Sequence, residues 1–349
     1  MRYLPTSRLT PGMALGQDIY DGAGRLLLGR HILLTEEQIS NLEFLGFPGV
    51  YVDDEFSRGI EIQQIVSPEV RRQALKIVYD LFHTDMRKQE PSEAEFKLRK
   101  TVESVVDDVI CNGDIMCNIM DIKSYDDYIY YHSIHVGILS VVVGARLGLP
   151  QDELCQLAAA ALLHDIGKRF IDHDIVRGGK AQKEQEVYRS HPKIGAEYLR
   201  ETCRFSADVY EGIMEHHECY NGEGYPLGKK GGEIHLFARI IRIADCYDAK
   251  VSAFPAQKSL SPSEALEYVM ALGDRWFDPD IVAVFARKVA AYPIGCEVEL
   301  SNGQHAVVAR NFENFPLRPL VRVVETGEML NMRDDEKARA VTVGRLIVR

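Results

Sequence analysis

The 349-residue chain lacks a surplus of positive charge: 41 lysines and arginines stand against 52 acidic residues, for a net charge of −11. That balance argues against a surface for nucleic-acid polymers or anionic membranes. It also means that an anionic ligand must be held by local positive charge, from metal ions or a lysine. No CxxC pair occurs, and the seven cysteines are an odd number. They read as reduced thiols of a cytoplasmic protein, not as a disulfide framework. MRYLPTSRLTPG at the start has no apolar run of the signal-peptide type. No window of eighteen or more apolar residues is found, so no membrane span is expected. Internal repeats and low-complexity tracts are also missing. What remains is a globular composition, 46% hydrophobic and 27% charged, long enough for two or three domains and a large core.

The centre of the chain is LAAAALLHDIGK, Leu157 to Lys168. Its Ala/Leu run predicts a buried helix that Gly167 ends. A carboxylate buried there stays ionised only if it is paired or coordinated. His164 beside Asp165 is therefore either a hydrogen-bonded core pair or two ligands of a metal ion, with the carboxylate able to bridge two ions. A metal site would draw further His and Asp from other helices, and the chain supplies them. His132 shares a helical stripe with Val136, Leu139 and Val143. His191-Pro192 opens another helix. His216-His217-Glu218 closes YEGIMEHHE, and Asp245 lies at i+7 from Ala238 on a buried face of ARIIRIADCYDAK. Singly, each has a structural explanation. Together, His132, His164, Asp165, His191, His216, His217 and Asp245 exceed what one octahedral ion takes, and with a bridging carboxylate they suit two. Imidazole and carboxylate without thiolate favour Mn or Fe over structural Zn.

The order of these elements resembles the HD superfamily of metal phosphohydrolases. HHECYNGEGYP, residues 216–226, narrows the resemblance to the HD-GYP family of bacterial cyclic-di-GMP phosphodiesterases, whose signature reads HHExxxGxGYP. HDIGK at 164–168, HPxxG at 191–195 and Ala238-Arg239 before Asp245 also match, over about residues 125–275. The resemblance implies an all-helical core in which His132, His164, Asp165 and Asp245 hold one ion. Asp165, His191, His216 and His217 would hold the second, with Asp165 as the bridge. It further implies that Lys168 faces a substrate phosphate. Gly222, Gly224, Tyr225 and Pro226 would shape a loop beside the pocket that also docks diguanylate-cyclase (GGDEF) domains. The activity implied is hydrolysis of cyclic di-GMP to linear pGpG or GMP by water activated between two ions, with Asp165 and Lys168 as catalytic groups. The alternatives are a weakly active protein that binds the dinucleotide or docks a cyclase, and an enzyme for another cyclic dinucleotide.

Three departures from the family pattern matter. Tyr128 stands where some members carry an acidic ligand for a third ion, so two ions are expected, although Asp126 and Asp127 lie nearby. Asn221 replaces the usual Asp of the signature. After Asp245, Phe254 and Gln257 occupy positions where the family places cations on the substrate's phosphates. Lys250 and Lys258 are the nearest replacements, without the fork of Arg, and Lys250 and Tyr225 are expected to touch substrate.

The flanks read more simply. Residues 1–66 predict a small α+β module, with a turn at Asp21–Gly24, a capping box at Thr35–Gln38 and a strand at Val50–Val52. Residues 67–120 predict a helical linker that opens at Ser67-Pro68. Its second helix is expected to begin with a capping box at Ser92 and Glu95. These helices pack on the next domain, pair with a second copy in a homodimer, or are solvated. Residues 121–290 form the catalytic domain. Residues 291–349 predict a β-rich appendage, with a hairpin at Asn302-Gly303. The fold class expected is mainly α, an HD-type helical bundle with these two small modules attached.

Overall fold

The computed structural model describes residues 1–86, 91–118, 124, 126–178, 181–252 and 259–347. The N-terminal module is a three-stranded antiparallel sheet in the order β1 (Arg2–Pro5), β5 (Gly49–Asp53), β2 (Ala14–Leu15). The hairpin β3 (Ile19–Tyr20)–β4 (Leu26–Leu28) and helix α1 (Glu36–Phe44) complete it. Thr35 caps α1 by accepting from Gln38 N, and Gln38 Oε1 accepts from Thr35 N, so the capping box forms as expected.

Helices α2 (Pro68–His83) and α3 (Pro91–Cys111) follow. Their apolar faces, Leu75, Val78 and Leu81 on α2 and Val102, Val105, Val106 and Val109 on α3, lie in the same core as the central bundle. These helices pack on the next domain, the first of the expected arrangements. They are not a solvated tether. Phe96 on α3 is exposed, away from that core. The side chain of Ser92 lies outside the described residues. The sequence also predicts a break at Lys88–Pro91; residues 88–90 lie outside the described residues, and Pro91 belongs to α3.

The bundle comprises α4 (Tyr128–Arg146), α5 (Gln151–Leu163), α6 (His173–Gly178), α7 (Gln182–Tyr188), α8 (His191–Thr202), α9 (Ala207–Glu215), α10 (Leu236–Val251), α11 (Pro262–Ala271) and α12 (Pro279–Lys288). α4 runs through its centre, packed on α5 and α10. By length and composition α4 could cross a bilayer, which the sequence reading did not anticipate, but 72% of its apolar window is buried inside the fold. α5 stops at Leu163, earlier than Gly167, because the freed carbonyl of Ala161 accepts from His164 Nδ1 at 2.8 Å. A 3-10 turn, Ile166–Phe170, carries the chain on.

The C-terminal module is an antiparallel sheet in the order β10 (Val343–Ile347), β6 (Glu297–Leu300), β7 (His305–Arg310), β8 (Leu320–Val323), β9 (Met329–Asn331). The hairpin at Asn302-Gly303 joins β6 to β7 in the expected register, with Glu299 opposite His305. This module is clipped to the N-terminal one. Glu297 pairs with Arg2 and Arg8 at 3.3 and 3.2 Å, and Tyr3 N donates to Gly295 O at 2.9 Å.

Candidate metal centre

The geometry follows from where helices end. The last carbonyls of a helix have no intrahelical partner. Three histidines use them in one way: His164 Nδ1 donates to Ala161 O, His191 Nδ1 to Tyr188 O and His216 Nδ1 to Ile213 O, at 2.7–2.8 Å. Each bond reaches three residues back across the end of α5, α7 or α9. A proton fixed on Nδ1 leaves Nε2 as a lone pair aimed inward, the arrangement expected of a metal-ligating imidazole. His132 reaches the same state from within α4, its Nδ1 being 2.8 Å from Asp248 Oδ2.

All four Nε2 atoms converge on Asp165. Asp165 Oδ2 is 3.8 Å from His132 Nε2 and 3.4 Å from His164 Nε2, and Asp245 Oδ1 lies 3.2 and 4.0 Å from the same two nitrogens. The other oxygen, Oδ1, is 3.2 Å from His191 Nε2 and 3.9 Å from His216 Nε2, which are 3.3 Å from each other. Ligand bonds of about 2.1 Å put neighbouring donors of an octahedral ion about 3.0 Å apart and opposite ones about 4.2 Å apart. The observed separations fall in that interval. His217 completes the second group, with Nδ1 3.8 Å from Asp245 Oδ2 and 3.2 Å from Arg242 Nη1. His164 Nε2, Asp165 Oδ1 and His217 Nε2 are buried with no hydrogen-bond partner. Two lone pairs at 3.3 Å and three orphaned polar atoms in one cluster are costly unless a cation lies among them, so the residues fit metal ions.

Electrostatics agree. Burial alone would raise the pKa of Asp165, but the nearby His164 imidazole and the Lys168 ammonium outweigh it and hold the carboxyl well below its usual range. Asp245 is also held low, burial being outweighed by His132. Burial lowers His191, and it lowers His216 and His217 further because neighbouring imidazoles oppose a second charge. Without a metal ion, the carboxylates of Asp245 and Asp248 overcome burial at His132 and push it up to about 9, so an ion takes the place of the Nε2 proton there. Tyr128 stacks on His132, with its hydroxyl 3.3 Å from His132 Nδ1. Burial and then the charges of Asp248, Asp245 and Asp165 keep its phenol neutral, which makes it a poor ligand.

The signature loop serves the same site. Glu218 Oε1 accepts from Leu227 N and Gly228 N, at 2.6 and 3.1 Å, and draws the loop back on itself. A Cβ on Gly224 would lie 2.2 Å from Cys219 N, so only glycine fits the fold-back. Tyr225 is thereby laid on the His217 ring, at the cis peptide to Pro226. Gly167 is the second close approach: a Cβ there would lie 2.0 Å from His191 O. That contact seats the Ile166–Phe170 turn against the start of α8 and brings His191 to Asp165.

A cavity of about 500 Å³ opens beside the cluster, lined by Asp126, Tyr128, His132, Lys168, Tyr188 and Asp245, with Phe82 and His83 of α2 on its far wall. That volume suits a small-molecule ligand. The Lys168 ammonium pairs with Asp165 Oδ2 at the mouth. Of the residues expected to touch substrate, Lys168 lines this cavity, and Tyr225 and Lys250 do not. Lys250 projects from the face of α10 that meets α11, its ammonium 4.8 Å from the Tyr268 ring centroid. Phe254, Gln257 and Lys258 lie outside the described residues. Sequence reasoning missed Asp248 and Arg242, each three residues from Asp245 on α10. The i±3 spacing was a usable signal, but charges on a helix are more often solvated.

Residues 118–281 match the family model described as HD domain. The chain is 33% identical over 224 residues to the cyclic di-GMP phosphodiesterase PA4108 of Pseudomonas aeruginosa, covering 64% of this chain and 54% of that protein. It is 39% identical over 149 residues to the cyclic di-GMP phosphodiesterase response regulator RpfG of Xanthomonas campestris, covering 42% of this chain and 39% of that protein. The chain thus spans about half the length of these curated relatives, or less. Among solved structures it is similar to Bd1817, an HDG"Y"P protein from Bdellovibrio bacteriovorus, with TM-score 0.52 and 17% identity over 81% of this chain and 97% of that one, a likeness of fold. The motifs at 164–168 and 216–226 thus lie around one cluster inside the segment that matches the HD domain, and the chain is similar to these phosphodiesterases across that segment.

Proposed function

We propose that the protein is a metal-dependent cyclic di-GMP phosphodiesterase, acting in the cytoplasm with two divalent ions, Fe or Mn. The observation that carries this reading is Asp165, whose two oxygens face two separate sets of imidazoles. The names of the relatives from Pseudomonas and Xanthomonas supply the substrate class.

The ions supply Lewis acidity that lowers the pKa of water and neutralises charge on the phosphodiester. The chain's part is to place and tune them. His132, His164 and Asp245 would hold one, His191, His216 and His217 the other, with Asp165 between. Lys168, kept protonated because Asp165 outweighs its burial, puts a fixed positive charge at the mouth for a nonbridging phosphate oxygen. Tyr188 and Tyr225, both phenols raised by burial and so neutral, flank that charge.

A second reading is favoured by Lys250, which lies on Tyr268 and leaves Lys168 as the one lysine on the cavity wall among the described residues. Here the domain binds a cyclic dinucleotide, or docks a diguanylate-cyclase domain on the Gly222–Pro226 loop, with little turnover. Purified protein loaded with Mn or Fe and incubated with cyclic di-GMP separates the two. The enzyme reading expects linear product that depends on metal and vanishes with Asp165→Ala. Binding without product supports the second reading, and a panel of cyclic dinucleotides tests for a different substrate.

A further inference from the structure

A second cavity, of about 550 Å³, lies between the N-terminal module and helices α2 and α4. Gln64, Arg71, Leu75, Tyr131 and His135 are on its wall, with Tyr20 across from them. Arg71 sets it apart. Among the described residues no carboxylate is within ion-pair distance of the guanidinium, and its buried Nε has no hydrogen-bond partner. The side chains that act on its charge are Cys117, Tyr131 and Tyr51, all of which burial keeps neutral. Gln64 Oε1 is a second buried polar atom without a partner, an acceptor that calls for a donor on the body of a ligand and not for its oxyanion. The nearby charges are already committed. Arg72 is bidentate on Glu69, and Asp18 accepts from Arg30 N and Tyr20 OH. Arg71 is half-buried, with its Nε withdrawn from water and no counter-ion, which is unfavourable, and its planar fork matches an oxyanion.

The far wall leads to the metal centre. His135 Nδ1 is 2.8 Å from Asp248 Oδ1, and the other Asp248 oxygen is 2.8 Å from His132 Nδ1. Two hydrogen bonds therefore connect this cavity to an imidazole of the cluster.

We propose that the cavity binds a small oxyanion-bearing ligand, a phosphate or carboxylate on a mainly apolar body. The oxyanion lies on Arg71 and the body on Tyr20, Leu75 and Tyr131. Occupancy passes to the first metal position through His135, Asp248 and His132, and this second part rests on the metal-centre reading.

The test titrates the full chain with inorganic phosphate or with acetate, against potassium chloride of matched ionic strength, and follows thermal unfolding. At least one anion is expected to raise the unfolding temperature by several degrees, and the stronger of the two identifies the class. The rise should vanish in Arg71→Gln, shrink in Leu75→Trp, which fills the cavity from one turn further along α2, and persist in Asp165→Ala. Circular dichroism checks that each variant folds, and Leu75→Trp carries the test if Arg71→Gln does not. No response to either anion, an equal response in Arg71→Gln, or a response lost in Asp165→Ala, which would place the anion at the metal centre, overturns the site. Mn²⁺ affinity measured with and without the bound anion should differ several-fold. Equal affinities overturn the transmission and leave the site. Neither readout depends on turnover, so failure of the phosphodiesterase reading is seen separately.

Discussion

The ring of Tyr225 lies nearly flat on the ring of His217, centroids 4.8 Å apart and planes 26° apart. Such a contact is worth about 0.5–1.5 kcal/mol beyond the area it buries. It holds an imidazole that has no carbonyl at its Nδ1, unlike His164, His191 and His216. Tyr225→Ala is expected to weaken the weaker of two metal-binding steps by about two- to tenfold, read by metal titration. Tyr225→Phe should bind metal as the parent does. If Phe and Ala lose equally, the hydroxyl and not the stack holds the ring.

Gly167 leaves no room for a side chain, its Cβ position being 2.0 Å from His191 O. Gly167→Ala should cost about 1–3 kcal/mol of stability and lower the metal content, because the strain is relieved by moving His191 off Asp165. Gly195→Ala, whose Cβ would stand 3.0 Å from Gly167 N, should do the same more mildly. Thermal unfolding with elemental analysis checks both, and an unchanged metal content in Gly167→Ala contradicts the account.

Asp248 serves two histidines with two oxygens. Asp248→Asn exchanges one acceptor for an NH₂, so one imidazole must change tautomer. Loss of such an orienting group typically costs about 10–100-fold in metal affinity or activity. A fall of that size with retained fold is expected, and calorimetry of Mn²⁺ binding measures it.

Stability of chelator-treated protein should be bounded on both sides of neutrality. His191, His216 and His217 have lowered pKa values, so below about 6.5 the unfolded chain takes up protons that the folded one refuses, and stability falls as pH falls. His132 is raised to about 9. Its contribution is fully present below about 6.5 and is lost as pH rises through 9. Unfolding temperature against pH should therefore peak near neutrality. Loading with Mn²⁺ should flatten the curve, since metal binds the deprotonated imidazoles. A monotonic curve in the chelated protein would falsify these assignments.

Much of this was legible in the sequence because each piece had a local signal. Thr35 with Gln38, Asn302-Gly303 and Ser67-Pro68 are short-range codes that tertiary packing did not override. The seven His and Asp stood out because imidazoles and carboxylates sat at helix ends or on apolar stripes, where solvent does not explain them. The end of α5 was not legible: nothing in an Ala/Leu run announces that His164 will take the Ala161 carbonyl. Asp248 and Lys250 failed in opposite ways. They are two residues apart on α10, which at about 3.6 residues per turn puts them on different faces: Asp248 shares the side of Asp245 and turns into the cluster, and Lys250 turns onto Tyr268. β9 has three residues and too little alternation to register.

The placement of Phe82 and His83 on the far wall of the cavity beside the metal cluster bears on how the protein is cut. A fragment trimmed to the borders of the matched segment, 118–281, would discard that wall and bare the apolar faces of α4 and α5 that α2 and α3 cover. The smallest unit that keeps the pocket whole reaches upstream to Pro68, so activity missing from a shorter fragment would say nothing against the chemistry.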